Sequence, residues 1–196
     1  MLGLDEKNNM PQLPVDQTTW DREFLAGEWD YLDTNDLERA RHQVIAYFID
    51  AYNPKGKILD VGCGLGTTTD FLKSAQKKNY LGIDISTVAI KRALKKKAKF
   101  KSIDFLKFKS GTKFDVIIFN EVLYYLDEKE ALTHALKLLK KNGVVIISLY
   151  RTSKKHYDEK IWQVFKKFFT EIDGTEISGH IKNQDVTWRI SVLRKR

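Results

Sequence analysis

From residue 57 onward the chain switches repeatedly between two hydrophobic periods, and this alternation limits what it can fold into more than any other feature. KILDV (57–61) is a short apolar run, TTTDFLKSAQKK (67–78) reads as a helix, YLGIDI (80–85) as a strand, STVAIKRALKKK (86–97) as a helix and KFKSID (99–104) as a strand. FDVIIFN (114–120) follows as a buried strand, EKEALTHALKLLKKN (128–142) as a helix and GVVIISLY (143–150) as a strand, with Gly143 at the turn. EKIWQVFKKFF (159–169) is a last helix, and TEIDGTEIS (170–178) and DVTWRISVLRK (185–195) are strands separated by few residues. Parallel neighbours need crossover helices, and those helices cover both faces of a sheet. The pattern therefore predicts an α/β chain with a doubly wound, seven-stranded, mainly parallel sheet closed by a C-terminal antiparallel hairpin. Such sheets bind ligands beyond the carboxyl ends of their strands, where the strand order reverses. The loops after Val61, Ile83, Ile103 and Phe119 are the ones to watch.

Ahead of this series, DLERARHQVIAYFIDAY (36–52) places Leu37, Ala40, Val44, Phe48 and Ala51 at helical spacing, with Thr34 and Asn35 as caps and Pro54 past its end. A chain of 196 residues is divided here into a leader, 1–34, and a single domain, 35–196. The leader carries Trp20, Phe24, Trp29 and Tyr31 among acidic residues, which reads either as a lid that keeps a reaction dry or as a hydrophobic anchor. Residues 1–50 hold four Lys/Arg against eleven Asp/Glu, and the rest holds thirty against fifteen, so an acidic leader precedes a basic body. That balance fits nucleic acid, an anionic substrate or a lysine-rich solvated surface, and the densest run, lysines 91, 95, 96, 97, 99 and 101, reads as a solvated face. No apolar run approaches the about 18 to 20 residues of a membrane span, and the start has no signal-peptide pattern. A single cysteine, Cys63, excludes an internal disulfide and a cysteine-built metal centre, and a cytoplasmic location is the expectation.

The first strand runs into Asp60-Val61-Gly62-Cys63-Gly64-Leu65-Gly66-Thr67. Alternate glycines let the backbone approach a ligand and turn sharply into the next element. The spacing is that of neither phosphate motif: a dinucleotide fingerprint wants its third glycine one residue later, and a P-loop wants a Gly-Lys-Ser/Thr where no lysine occurs between Lys57 and Lys73. A carboxylate at Asp60 would repel a pyrophosphate and favour a cation. Asp84 closes the next strand, where a carboxylate can accept from both ribose hydroxyls, although Ser86 beside it is also a competent helix cap.

At this point the chain resembles the class I S-adenosylmethionine-dependent methyltransferases, whose first motif is similar to ILDVGCGLGTTT (58–69), and the fold that this resemblance implies is Rossmann-like. The resemblance assigns Asp60, Gly62, Gly64 and Gly66 to the methionine and ribose part of the cofactor, Asp84 to the ribose hydroxyls and Ile85 to the adenine face. Asp104 and Phe105 resemble the pair at the adenine edge, and Asn120 stands at the fourth-motif position below the sulfonium. EVLYYL (121–126) differs from the Asn-Pro-Pro-aromatic motif of enzymes that methylate base amines, which argues against a nucleic-acid acceptor. With the leader, it looks most like bacterial small-molecule N- or O-methyltransferases, including the nodulation-type aminosugar N-methyltransferases.

The implied activity is in-line methyl transfer to N or O of a small molecule with S-adenosylhomocysteine as product, which needs alignment and exclusion of water and no metal. Glu121 and Tyr124, directly after the fourth strand, are candidates to orient an acceptor or take its proton, and His156, after the fifth strand, is a third. His180 could also face the pocket, while His42 and His134 are set aside as helical. The alternatives are an RNA methyltransferase using the basic body and a noncatalytic cofactor-binding protein.

Overall fold

The strands of the core are buried on both faces, as a parallel sheet covered by helices requires. A computed structural model describes residues 16–151, 157–181 and 184–196. Helices α1 (Gln17–Ala26), α2 (Tyr31–Thr34) and α3 (Asp36–Tyr52) precede β1 (Ile58–Val61). There follow α4 (Ser74–Lys78), β2 (Tyr80–Asp84), α5 (Thr87–Ala93), β3 (Lys99–Ser102), β4 (Phe114–Asn120), α6 (Glu128–Leu138), β5 (Leu139–Arg151), α7 (Tyr157–Phe165), β6 (Phe169–Ile181) and β7 (Gln184–Lys195). The sheet order is β3-β2-β1-β4-β5-β7-β6. Neighbours from β3 to β5 pair in parallel, and β7 alone runs against the rest, antiparallel to both β5 and β6. This is the seven-stranded α/β sheet with a terminal hairpin that the alternation predicts.

Residues alternate between the two faces along each strand. Ile58, Val116, Ile118, Val144 and Ile146 meet Ile45, Phe48 and Ile49 of α3 on one side. Leu59, Val61, Ile117, Phe119, Val145 and Ile147 meet Ala131, Leu132 and Ala135 of α6 and Ile161, Trp162 and Phe165 of α7 on the other. No helix among the described residues is long and apolar enough to cross a membrane.

Three local expectations are corrected. The segment 67–78 is not one helix: a 3-10 turn at Thr67–Phe71 is followed by the short α4. Gly66 enters the turn with φ +73°, and the Thr69 hydroxyl donates to the Gly66 carbonyl, a side-chain bond that competes with α-helical pairing. The helix expected over 128–142 ends at Leu138, because Leu139 turns extended and pairs with Phe114 at a register shift in β4. In α3 the extent is as expected but the buried face is rotated: Ala51 is exposed and Leu37, Ala40 and Val44 are half-buried, whereas Glu38, Arg41, His42, Ile45, Phe48 and Ile49 are buried. Burying three polar side chains is tolerable only because each finds a partner.

Asn35 caps α3, its Oδ1 accepting from the Leu37 and Glu38 backbone amides at 3.0 and 3.1 Å. Asn35→Ala is expected to cost about 1 kcal/mol of stability in urea unfolding, the usual magnitude for losing an N-cap.

Candidate functional site

Strand β1 lies between β2 and β4, so the chain leaves its two neighbours toward opposite ends of the sheet and a crevice opens above β1. The turn out of β1 lies under that crevice. Gly62, Gly64 and Gly66 have φ of +65°, +51° and +73°, and a side-chain carbon on Gly62 would sit 2.4 Å from Val122 Cγ2. Only glycine fits there, for conformation and for space together. Val61, Gly62, Asp84, Ile85, Ile103, Phe105, Val122 and Leu126 line a cavity of about 50 Å³.

Asp84 is 9 % exposed at the end of β2, where Oδ2 accepts from the Gly64 amide and Oδ1 from the Ser86 amide, each at 2.8 Å. Burial raises its carboxyl and the two amides oppose this, leaving it at about 6. Asp60 is 1 % exposed, but it lies beneath the turn, where the Tyr80 hydroxyl donates to Oδ2 at 2.7 Å and Oδ1 has no partner. Burial pushes its carboxyl up to about 6, against the Tyr80 bond. Ile85 and Phe105 border the cavity, and Phe105 also packs edge-on against Phe119. Asp104 stands apart from the cavity lining: its Oδ1 accepts from Leu106 N in a short turn, and its carboxylate faces Lys107 at 3.7 Å.

The end of β4 carries the second half of the site. Glu121 is the one non-glycine residue with positive φ, +58°, among the described residues. Its carboxylate accepts from Ser148 Oγ at 3.0 Å and from the Tyr150 amide at 3.2 Å. Burial dominates and Arg41 opposes it, so the carboxyl is pushed up to about 7. Tyr124 turns away from this position, with its hydroxyl on the Tyr150 carbonyl at 3.2 Å and its ring against the core. Its neighbour Tyr125 faces the leader instead, edge-on to Trp20 at 4.8 Å. His156 lies outside the described residues. His180 is exposed, its Nδ1 beside the Asp185 carboxylate on the terminal hairpin.

Sequence reasoning missed the face of α3 beneath Asn120. Arg41, 2 % exposed, donates to Asn120 Oδ1 and to Glu38, and Asn120 Nδ2 lies 3.3 Å from His42 Nδ1. His42 Nδ1 also lies 2.9 Å from Thr68 Oγ1, and burial, then Arg41, keep the ring neutral. His42, a poorer candidate by its place within a helix, is thus buried against Asn120 and Thr68. The signal was present as Glu38, Arg41 and His42 at i, i+3 and i+4, one stripe of a helix whose other stripe is equally polar.

Helix α1 lies beside the glycine turn. Phe24 lies 3.6 Å from where a side-chain carbon at Gly64 would stand, and Trp20 and Trp29 pack with Phe24, Leu65 and Ala89. Asp21 fastens α1 to the start of α5, accepting from Ser86 Oγ at 2.6 Å, Thr87 Oγ1 at 2.8 Å and Val88 N at 3.0 Å. Burial opposes its charge, yet these donors pull its carboxyl down to about 2. Arg92 bonds the Phe24 carbonyl and pairs with Asp30. Lys96 pairs with Asp33 and Asp70 at 18 % side-chain exposure, so the lysine run is not uniformly a solvated face.

A buried carboxyl raised by folding binds protons more tightly folded than unfolded, so its contribution to stability falls as pH rises from about 4 to about 6. Asp60→Asn removes that penalty. The variant is expected to gain stability over the parent, by about 1–3 kcal/mol at pH 8 and by nothing at pH 4, in urea unfolding at the two pH values.

A family model described as methyltransferase domain matches residues 53–190. Nodulation protein S of Rhizobium tropici is 28% identical over 179 residues, 84% of this chain and 75% of that protein. Phosphoethanolamine N-methyltransferase 1 of Arabidopsis thaliana is 31% identical over 161 residues, which span 77% of this chain and 32% of the plant protein. Among solved structures, N-methyltransferase NodS from Bradyrhizobium japonicum in complex with S-adenosyl-L-homocysteine superimposes with a TM-score of 0.73 at 22% identity, covering 90% of this chain and 97% of that one. The match runs from the end of α3 into β7 and takes in the glycine turn and every strand end at the crevice, and by it the chain belongs to the methyltransferase domain family.

Proposed function

We propose that this chain transfers a methyl group from S-adenosylmethionine to an amine nitrogen of a small molecule by in-line displacement. The observation that carries the reading is the pair of carboxyls on either side of β1, with the glycine turn between them: Asp84, ending β2, is buried and lines the cavity, and Glu121, following β4, is half-buried and held against Ser148 and Tyr150. The amine is supported by the names of the relatives, two of which are N-methyltransferases.

The residues present fit the cofactor. Asp84 can accept from ribose hydroxyls, Gly62 presents main chain to the cavity while Gly64 lies under Phe24 and Gly66 packs on Phe100, and Ile85, Ile103 and Phe105 offer apolar walls to a flat base. Asp60 acts from below, held by the Tyr80 hydroxyl. The bound cofactor supplies a methyl group on a sulfonium, an electrophile with a good leaving group. Glu121 takes the proton of the acceptor's ammonium group, leaving a nitrogen lone pair free to attack, and its carboxyl near neutrality suits that exchange. Asn120 fixes the floor beneath the reacting centre. The cavity is smaller than a nucleoside, so Val122 and α1 give way on entry, and α1 then shuts out water as a lid.

Calorimetric titration is expected to show S-adenosylhomocysteine binding and no NAD binding; binding of NAD alone would end the reading. Asp84→Ala is expected to weaken that affinity by about 10- to 100-fold, the worth of a charged hydrogen bond. In a screen of primary amines, sugars and phenols, formation of S-adenosylhomocysteine is expected with amines. Glu121→Gln should then lose about 100-fold or more in turnover while still binding S-adenosylhomocysteine. Asp21→Ala, which frees three donors on α5, is expected to speed S-adenosylhomocysteine dissociation and to open α1 to protease.

A further inference from the structure

We propose that Arg41 is a positioning residue of the acceptor site, holding the Asn120 carboxamide in place through one amino group while Glu38 holds the other. The proposal rests on the reading of Glu121 as the proton acceptor.

The arrangement around Arg41 is costly for a residue kept only for packing. Its side chain is buried on the face of α3 that packs under β4, and desolvating a cation is worthwhile only if the charge is well paired. Arg41 is not paired in the economical way, with both amino groups on one carboxylate. One goes to Glu38 and the other to Asn120, Nε has no hydrogen-bond partner, and the guanidinium lies 5.4 Å from the Trp188 ring. A methionine would fill the same space without an unsatisfied donor, so what distinguishes arginine here is its reach to two partners and its charge.

Both have consequences. With Asn120 Oδ1 occupied by Arg41, its Nδ2 faces His42 Nδ1 at 3.3 Å, and the same ring nitrogen lies 2.9 Å from the Thr68 hydroxyl. A chain of polar contacts thus runs from Glu38 through Arg41, Asn120 and His42 to Thr68 on the turn after β1, and Arg41 fixes which end of the Asn120 carboxamide faces His42. Ser148 and Tyr150 from β5 bond Glu121, and the titratable groups that act on its charge through space are Tyr31 from α2, Glu38 and Arg41 from α3, and Tyr125 from the turn after β4. Arg41 is the cation in this set. It favours the ionised form of Glu121, Glu38 disfavours it, and burial disfavours it most. In turn Glu38 and Glu121 outweigh burial and keep the guanidinium charged. The pair on α3 therefore sets where Glu121 exchanges its proton without touching the acceptor.

The test is a carbon-13 NMR titration of the full chain carrying glutamate labelled at the side-chain carboxyl, with the Glu121 signal assigned by its loss in Glu121→Gln. The parent midpoint is expected at about 7. Arg41→Met is expected to raise it by about one pH unit, and Glu38→Gln to lower it. Arg41→Lys keeps the charge but cannot span Glu38 and Asn120, so its midpoint should stay near that of the parent while methylation of a responding amine slows. Should Arg41→Met fail to fold, Glu38→Gln/Arg41→Met removes both buried charges and should still titrate higher, because Arg41 outweighs Glu38 at Glu121. Methylation of that amine at the parent rate by Arg41→Lys overturns the proposal, and so does a Glu121 midpoint that moves in neither Glu38→Gln nor the Arg41 variant. Full activity of Glu121→Gln toward that amine would overturn the reading of Glu121 itself, a result separable from the titration.

Discussion

Strand β1 hydrogen-bonds to β2 on one side and to β4 on the other, and the rest of the molecule is arranged around the gap this leaves. Because β2 leads outward to β3 and β4 outward to β5, no helix can cross directly above β1, and the space is left to loops. Backbone in that space must satisfy its own polar groups. The structure does so with short devices: Asp84 accepts from the amides of Gly64 and Ser86, the Gly66 amide bonds Cys63 O, and Glu121 reaches across to Ser148 and Tyr150 N. The positive φ at Glu121 is part of the same economy, since it turns the chain out of β4 while keeping the carboxylate against β5.

The uneven distribution of charge has a local meaning. The acidic leader sits on the basic second crossover: Asp21 on the start of α5, Asp30 on Arg92, and Asp33 on Lys96. These contacts are partly exposed, so each is worth little alone, and the aromatic packing of Trp20, Phe24 and Trp29 supplies most of the hold. Polar contacts at the rim and aromatic ones in the middle fix where the leader lies without burying unpaired charge.

The strands and their order class were legible because a buried parallel strand has a local signature: FDVIIFN and GVVIISLY are apolar on both faces, and the turns between elements are marked by glycine, serine or asparagine. The glycine turn was legible for the same reason, its conformation being written in residue type. What could not be read was which way a side chain turns at a strand end. Tyr124 and Tyr125 are identical in sequence terms, and only the 3-10 turn at 123–125 decides that one bonds the core and the other meets Trp20. Asp60 and Asp84 both end strands, yet the pleat sends one beneath the turn and the other to the cavity. The α3 stripe was missed because helical spacing selects apolar positions, and Arg41 and His42 are buried for their partners 26 to 79 residues away.

Asp60, Asp84 and Glu121 stand at or just past the ends of three neighbouring strands, all with carboxyls raised by burial. Near pH 6.5 such a region holds bound hydrogen ions in place of counter-ions. A positively charged molecule that settles against these carboxyls favours their ionised forms, so hydrogen ions leave for the surrounding medium as it enters. The heat of association then includes the enthalpy with which the buffer captures them, and differs between phosphate and Tris even when the affinity does not.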